Sequence, residues 1–382
     1  MIDDYTVAFV PGKDGLASAD VRTKWFDAIA RSSSLNVALQ TPQWVQYRLR
    51  SADDLRLCVM RNSEKEIVGV TPLSKWTHGL PFYVKGRCLW SASLNATRVM
   101  GEIPLMPEEP QAYALFLDSL MREAGVNSIY MRVPLGTPFW SSLCELERKG
   151  ETDWLFHRPA RVYRYHCIRM PASFPEYLQQ FSRKERQNMV RETNQLRAAG
   201  RGALELTRVT QSKDVPEFLA NATRIAACSW QKILLGRPVN EPGARLEFLT
   251  GMAESNMLRA YCLHCGGAPC SYVIGFQING VFHFHETAYD ENWKAKNSPG
   301  KVLVYLLLQD LFAEERPTTV FFGYMDAWYK RYFGNSGGEE EELLLLRNSP
   351  SNRLKSSAHD FYRGLGSRTR RLRVFLGLTP KT

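Results

Sequence analysis

Three consecutive stretches in the second half of the chain, residues 258–265, 270–278 and 281–289, are rich in apolar, β-branched and aromatic residues. Such short runs are typical of β-strands, and the dipeptides Gly266-Gly267 and Asn279-Gly280 between them favour tight hairpin turns. A run with helical spacing follows from Pro299 to about residue 315, and a short apolar stretch covers residues 318–323. The pattern therefore predicts three strands joined by hairpins, a helix and a fourth strand.

The first half of the chain shows the same order of elements. Residues 55–61, 67–76 and 82–90 have strand-like patterns, with turns predicted at 62–64 and 79–81, and a helix over 111–124 precedes a strand over 128–133. Only the order of elements is repeated, without obvious identity of residues. We predict two copies of one α/β module, in domains 1–159 and 160–350, followed by a basic tail over residues 351–382.

Composition is that of a soluble globular protein, with 44% hydrophobic and 23% charged residues in 382. No apolar run approaches the roughly 20 residues needed to cross a bilayer, and the first residues lack the basic start and apolar core of a signal peptide. These features predict a cytoplasmic protein.

The net charge of +10 is concentrated in two segments. Residues 183–201 hold six basic residues against two acidic ones, and residues 353–382 hold eight against one. Such segments suit anionic partners, although a solvated helix face is an equally physical explanation. Because the tail is short, basic and apolar along one side, it either docks on its own domain or makes peripheral contact with an anionic membrane. No DNA partner is expected.

A second feature suits an anion, the tetrapeptide Ser298-Pro299-Gly300-Lys301 at the start of the long apolar helix. Ser suits an N-cap, Pro suits the first helical position, and Gly leaves the backbone N–H groups uncovered. The positive end of the helix dipole attracts phosphate, and Lys294 and Lys296 add charge nearby. An ordinary capped helix remains the alternative. The first copy has carboxylates at the corresponding helix start, so only the second copy is predicted to bind a cofactor.

The motif G-x-x-D-x-x-Y-K-x-x-F, formed by Gly323, Asp326, Tyr329, Lys330 and Phe333, follows the fourth strand. Together with Ser298-Pro299-Gly300-Lys301 and with residues 181–192 and 229–232, it resembles the GNAT acyltransferase superfamily. The closest likeness is to the cellulose-biosynthesis-type acetyltransferase branch, which is related to Fem-type peptidyltransferases.

The resemblance implies a fold of class α/β (α+β), with two tandem GNAT-like modules, each a mixed sheet flanked by helices. It also implies acetyl-CoA or another acyl-CoA as co-substrate, held by Ser298, Pro299, Gly300 and Lys301. The sequence departs from the best-known GNAT fingerprint, because Ser-Pro-Gly-Lys replaces the Q/R-x-x-G-x-G/A loop.

Acyl transfer from a thioester needs a base for the acceptor and a proton or hydrogen bond for the leaving thiolate. The period of the third strand predicts that Glu286 shares a face with Phe282 and Phe284, and that His283 and His285 share the other. A carboxyl among aromatic rings has a raised pKa, which suits a general base. The resemblance implies this role for Glu286, with His285 behind it, but either residue could instead be a hydrogen-bonded core residue.

Further site residues come from the second motif and from the basic helix. The resemblance implies that Tyr329 presents its hydroxyl to the leaving sulfur, whereas aromatic core packing is the alternative. Asp326 is a further catalytic candidate unless it only caps the following helix. Four candidates for binding the substrate are, by chain order, Lys184, Arg191, Trp230 and Lys330.

Cys262 and Cys265, with Cys270 and His264 nearby, invite a zinc interpretation. However, two residues three apart on a strand face opposite sides, and no second C-x-x-C completes a ligand set. No metal is predicted, and the scattered cysteines are expected to be reduced.

The sequence therefore predicts an enzyme that moves an acetyl or similar acyl group from acyl-CoA to an amine or hydroxyl of a sugar, polysaccharide precursor or other small-molecule or glycan acceptor. Two alternatives stay open. One is Fem-type aminoacyl transfer from aminoacyl-tRNA, and the other is a non-enzymatic module that binds acidic glycan or a membrane surface.

Overall fold

The computed structural model describes residues 5–49, 55–84, 87–150, 152–159, 162–229, 242–293, 298–324 and 326–375. The strands in chain order are β1 Tyr5–Pro11, β2 Leu55–Asn62, β3 Ile67–Val84, β4 Arg87–Val99, β5 Ser128–Pro134, β6 Trp154–His157, β7 Tyr163–Arg169, β8 Leu204–Val209, β9 Leu258–Cys265, β10 Ala268–Ile278, β11 Val281–Tyr289, β12 Thr319–Phe321 and β13 Ser336–Arg347.

The helices, again in chain order, are α1 Gly12–Ala17, α2 Ala19–Arg31, α3 Pro42–Leu49, α4 Pro110–Arg122, α5 Pro138–Lys149, α6 Phe174–Leu178, α7 Arg183–Ala199, α8 Val215–Ala227, α9 Pro242–Glu254, α10 Pro299–Ala313, α11 Trp328–Phe333 and α12 Pro350–Phe375. No helix in the described part of the chain combines the length and apolar character needed to cross a lipid bilayer.

The chain folds into two compact units that are interleaved in sequence. The first contains Met1–Ser34, Ala52–Tyr163 and Glu339–Thr382, and the second contains Leu35–Ser51 and Arg164–Gly338. A short N-terminal segment thus belongs to the second unit, and the end of the chain belongs to the first.

Each unit contains a mixed sheet. In the first unit the strand order is β1-β2-β3-β4-β5-β13, with β6 also paired to β13, and in the second it is β7-β12-β11-β10-β9-β8. Within each described sheet one pair of strands is parallel, β4 with β5 and β11 with β12. Three antiparallel strands, a helix and a parallel fourth strand therefore occur in both units, which confirms the predicted α/β fold with two copies of one module.

The hairpins of the second unit form where the sequence predicts them. Asn279 and Gly280 both have positive φ, 52° and 73°, and Ile278 pairs directly with Val281. This is the dihedral pattern of the tight turns whose twist matches the flanking strands.

In the first unit, the turn predicted at residues 79–81 is wrong. β3 continues to Val84, because Leu80 and Phe82 are buried in a core to which Ala358 of α12 contributes. β2 pairs with β3 only as far as Ser74, so Pro81 lies on an edge and its missing N–H breaks no bond there.

The core of the second unit lies between the sheet and α10. This helix is apolar almost all round and packs with α6 and α7 over Val273, Phe282 and Phe284. The opposite face of the same sheet is covered by α8 and α9, where Phe218 contacts Tyr272 and Phe248 contacts Phe276. In the first unit, α4 and α5 cover the corresponding core.

Candidate active site

The parallel strands β11 and β12 separate after a short paired segment. They pair from Val281 with Thr319 to His283 with Phe321, after which β12 ends and β11 continues to Tyr289. The backbone of β11 beyond His283 is therefore not bonded to β12. A ligand chain can enter a sheet at such a parting, because peptide donors and acceptors there are free to bind it.

Tyr329 of α11 lies against this parting. Its ring centroid is 6.0 Å from both Phe284 of β11 and Phe322, the residue after β12. Burial raises the pKa of Tyr329 to about 12, so the phenol stays protonated at neutral pH. No described residue forms a hydrogen bond with its hydroxyl. The phenol can thus donate a proton or hydrogen bond to a ligand that reaches the parting.

The start of α10 has backbone N–H groups that no described residue caps. Ser298 occupies the N-cap position but its side chain makes no capping bond, and Pro299 follows it in the first turn. The first intrahelical bond runs from Val302 N–H to the Ser298 carbonyl, at 2.9 Å. Since Cβ at position 300 would lie 3.1 Å from the Tyr289 ring, Gly300 allows this close approach. The predicted neighbours Lys294 and Lys296 lie outside the described residues.

Lys301 joins three helices at the start of α10. Its ammonium lies 3.0 Å from Glu192 Oε2 of α7 and 4.6 Å from the centroid of Tyr332 of α11. The two charged side chains are only 13% and 20% exposed. Lys301 is thus committed to an ion pair, and it brings α11 next to the start of α10.

A β-bulge decides where Glu286 points. Ile274 of β10 pairs with Glu286 and Gly275 pairs with Phe284, so His285 is the extra residue of β11. Glu286 therefore lies on the α8 and α9 face, and the predicted sharing of a face with Phe282 and Phe284 is wrong. The sequence period cannot show an inserted residue.

The carboxylate of Glu286 is held by two residues that sequence reasoning missed. Arg245 of α9 donates from Nη2 at 2.7 Å, and the hydroxyl of Tyr272 also donates to Oε1. Burial, reinforced by Glu286, raises the pKa of Tyr272, which keeps that hydroxyl a donor. The aromatic surroundings predicted for Glu286 are thus replaced by a polar cluster that fixes the position of its carboxyl group.

His285 lies on the same face among aromatic rings. Its centroid is 5.2 Å from Trp44 of α3 and 5.3 Å from Phe276. The loss of surrounding water lowers the pKa of His285, although the adjacent Glu286 acts in the opposite direction. The ring is therefore neutral at pH 7.

Asp326 and Lys330 flank Tyr329 in different ways. Asp326 does not cap α11, because the N-cap is Ala327, and its carboxylate instead contacts His166 Nε2 at 3.0 Å and Arg331. Partial desolvation alone would raise the pKa of Asp326, but these two partners lower it. Lys330 is buried and donates to the carbonyls of Gly323 and Tyr324, so it supports the loop after β12.

The basic residues predicted on α7 are exposed. A reciprocal capping box between Ser182 and Glu185 begins this helix. Lys184 and Arg191 both lie on its solvent-facing surface. Trp230, the remaining substrate candidate, lies outside the described residues.

The candidates form two groups on opposite faces of the second unit's sheet. Tyr329, Lys301 and the start of α10 lie on the α7 and α10 face, whereas Glu286 and His285 lie on the α8 and α9 face. Both groups adjoin the part of β11 beyond its pairing with β12, since Phe284, which contacts Tyr329, is two residues before Glu286. Arg245 and Tyr272 belong to none of the motifs found in the sequence. Only the register of the predicted hairpin could have indicated that Tyr272 lies near Glu286.

Cys262 and Cys265 face opposite sides of β9, as predicted, and the Cys265 thiol donates to the Leu196 carbonyl at 3.1 Å.

In the first unit, His157, His359 and Asp360 place possible ligand atoms within 4.8 Å of one another. The ring nitrogens of both histidines have hydrogen-bond partners within the protein. Ser356 Oγ is 2.9 Å from His157 Nδ1, His157 Nε2 is 3.1 Å from His359 Nδ1, and His359 bonds the Pro81 carbonyl.

Residues 183–331 match the family model described as an acetyltransferase (GNAT) domain. This range begins at α7 and ends inside α11, so it contains the parting of β11 and β12 and the start of α10. No curated protein matches the sequence.

Two solved structures share the fold over most of the chain. FemX is 13% identical, covering 87% of this chain and 98% of its own with a TM-score of 0.59. A conserved protein of unknown function from Bacteroides thetaiotaomicron is 17% identical, covering 87% of this chain and 97% of its own with a TM-score of 0.52. At these identities the likeness concerns the fold alone.

Proposed function

We propose that this chain, whose residues 183–331 match the model of a GNAT acetyltransferase domain, is an acyltransferase that moves an acyl group from acyl-CoA to an amine or hydroxyl acceptor. The acceptor class we favour is a sugar, a polysaccharide precursor or a related metabolite. The observation that carries the proposal is the Tyr329 hydroxyl at the parting of β11 and β12, to which no described residue forms a hydrogen bond.

The donor site follows from the start of α10. Free N–H groups of its first turn would bind the pyrophosphate, and Gly300 lets an anion approach the backbone. Lys301 contributes less than a free cation would, because Glu192 neutralises it. The acyl thioester would then enter the parting, with the Tyr329 hydroxyl near its sulfur.

The two side-chain groups would act from opposite faces. The acceptor attacks the thioester carbonyl carbon and the C–S bond breaks. Glu286 takes the proton that the acceptor loses, and Tyr329 gives a proton to the departing sulfur before regaining one from solvent. Arg245 and Tyr272 would position Glu286, and neutral His285 would limit the access of water.

The test is titration calorimetry with acetyl-CoA on the wild type and on two variants of Gly300. Gly300→Ala adds only the Cβ that crowds Tyr289, whereas Gly300→Asp adds the same Cβ and a negative charge. We expect Gly300→Asp to weaken binding at least about 10-fold more than Gly300→Ala, since the charge opposes both phosphate and helix dipole. Wild-type protein that binds no CoA would refute the donor.

Identification of the acceptor requires a screen of amino sugars and hydroxylated glycans, followed through the release of free thiol. If the Glu286→Gln variant transfers the acyl group as fast as the wild type, Glu286 is not the base. Glu205→Gln, at an exposed position on β8, provides the matched control.

Aminoacyl transfer from aminoacyl-tRNA is the second candidate. The observation that favours it is the exposed basic surface of α7, with Lys184 and Arg191 facing solvent, which suits an RNA backbone. If it holds, the chain binds aminoacyl-tRNA with strong salt dependence and shows no acetyl-CoA binding.

A further inference from the structure

We propose that the outer surface of α12 and the adjoining end of the β3–β4 hairpin form a docking surface for an anionic lipid membrane. This surface lies in the first unit, outside the GNAT domain of residues 183–331. The inference therefore does not depend on the proposed acyl transfer.

The surface begins with a row of aromatic rings that contact one another, one pair stacked and two pairs edge-on. Trp90 of β4 stacks on Phe82 of β3 with centroids 4.3 Å apart, Phe82 contacts Tyr362 of α12 at 5.5 Å, and Tyr362 contacts Phe361 at 5.9 Å. Phe82 is buried, but Trp90 is 57% exposed and Phe361 is 64% exposed. Large exposed aromatic residues in a continuous row mark an interaction site, and Trp and Tyr are favoured at the membrane–water interface.

The described part of α12 continues this surface from Leu354 to Phe361. Asn352 and His359, seven residues apart, form the buried side of the helix. Leu354 and Phe361, also seven apart, lie on the outer side and are 72% and 64% exposed. Since each pair spans two helical turns, the exposed apolar residues form a line opposite the docked side.

The positive charge of this region indicates an anionic partner. Residues 353–382 contain eight basic residues and one acidic residue, Asp360, which lies 3.8 Å from Arg363. An apolar line within a strongly basic helix is the pattern of helices that lie in the headgroup region of anionic bilayers. The same charge opposes pairing with a second copy. Nucleic acid would use the cations but would leave the exposed aliphatic side chain of Leu354 without a partner.

The test is cosedimentation of the full chain with vesicles of phosphatidylcholine alone and of phosphatidylcholine with about 30% phosphatidylserine. We expect binding only to the anionic vesicles, and a marked loss of binding when salt rises to about 0.5 M. The double variant Leu354→Ser with Phe361→Ser should bind at least about 10-fold more weakly, because it loses the apolar contribution.

The control is Phe26→Ser, which removes an aromatic ring that is 37% exposed on α2. It should bind like the wild type, and circular dichroism verifies that all variants are folded. The proposal is overturned if the wild type binds neither vesicle or both equally, if the double variant binds normally, or if a single-stranded RNA competes the protein off the vesicles.

Discussion

Two carboxyl groups of the first unit, Glu102 and Glu340, are buried with one oxygen each unpartnered among the described residues. Burial raises the pKa of Glu102 well above its ordinary value, and the nearby Glu340 raises it further. Burial also raises the pKa of Glu340 to about 7, although Arg132 acts in the opposite direction. At pH values between the ordinary carboxyl pKa and these raised values, the native state therefore keeps protons that the unfolded chain has already lost.

We expect Glu340→Gln to stabilise the first unit at pH 8 and to do so much less at pH 5. Between the ordinary carboxyl pKa and about 7, the native state binds more protons than the unfolded state, so stability falls as pH rises through this window. The amide cannot ionise and still accepts from Arg132. Melting temperatures at both pH values provide the measurement, and a pH-independent difference would contradict the explanation.

For Tyr329→Phe, we expect kcat to fall about 100-fold while the KM for the acyl donor changes little, because only proton donation to the leaving sulfur is lost. Thiol release under saturating donor measures this. Tyr305→Phe removes a hydroxyl from the same core cluster and serves as the matched control. Equal losses in both variants would mean that the hydroxyl matters for packing alone.

At the scale of elements, strand-like runs and turn chemistry predicted most of the second unit. Residues 258–289 form the expected hairpins. The sequence pattern did not predict the β-bulge at His285. It depends on local packing, since a Cβ on Gly275 would lie 2.3 Å from the Phe282 ring.

The sequence also predicted part of the candidate site. Its motif residues could be found by spacing, but side-chain partners depend on three-dimensional packing. Glu192 counted only as a charge in a basic segment until the structure placed it beside Lys301. Arg245 is 41 residues from Glu286, and no periodicity connects residues on a helix and a strand so far apart.

The contact between α7 and α10 can be tested with a double-mutant cycle on Glu192→Ala and Lys301→Ala. Each single variant leaves a mostly buried charge unpaired, so we expect a coupling of about 1–3 kcal/mol in the free energy of unfolding. The exposed pair Glu145 and Lys149 of α5 is the control, and its coupling should be much smaller because solvent screens it. Additive effects at Glu192 and Lys301 would show that the ion pair does not join the helices.

At the scale of the whole molecule, the two units exchange segments of sequence. β13 pairs with β5 and β6 in the first unit, although the second unit precedes it in the chain. The sequence pattern could not show this, because leucines 343–346 form an apolar run that is compatible with a buried strand in either sheet. Repeated element order revealed two modules but not which module the last strand completes.

Two truncations test this assignment. A chain that ends at Ser349 loses α12 and should retain amide hydrogen-exchange protection in β5, whereas a chain that ends at Gly338 also loses the β13 segment that pairs with β5. In the shorter chain we expect β5 protection to fall at least about 100-fold, because its backbone partner is gone. Protection in β10 should persist in both. Full protection of β5 without β13 would contradict the assignment.

The late position of β13 has a consequence during protein synthesis. When a ribosome has released β1 to β6, their sheet still lacks β13, the partner of β5 and β6, and residues 164–338 of the second unit are translated before it. Domains usually fold as they emerge, from the N-terminus onward. Here the first unit is completed only after most of the second has been made, so we expect β5 to lack its backbone partner in the nascent chain and to be open to chaperones until β13 emerges.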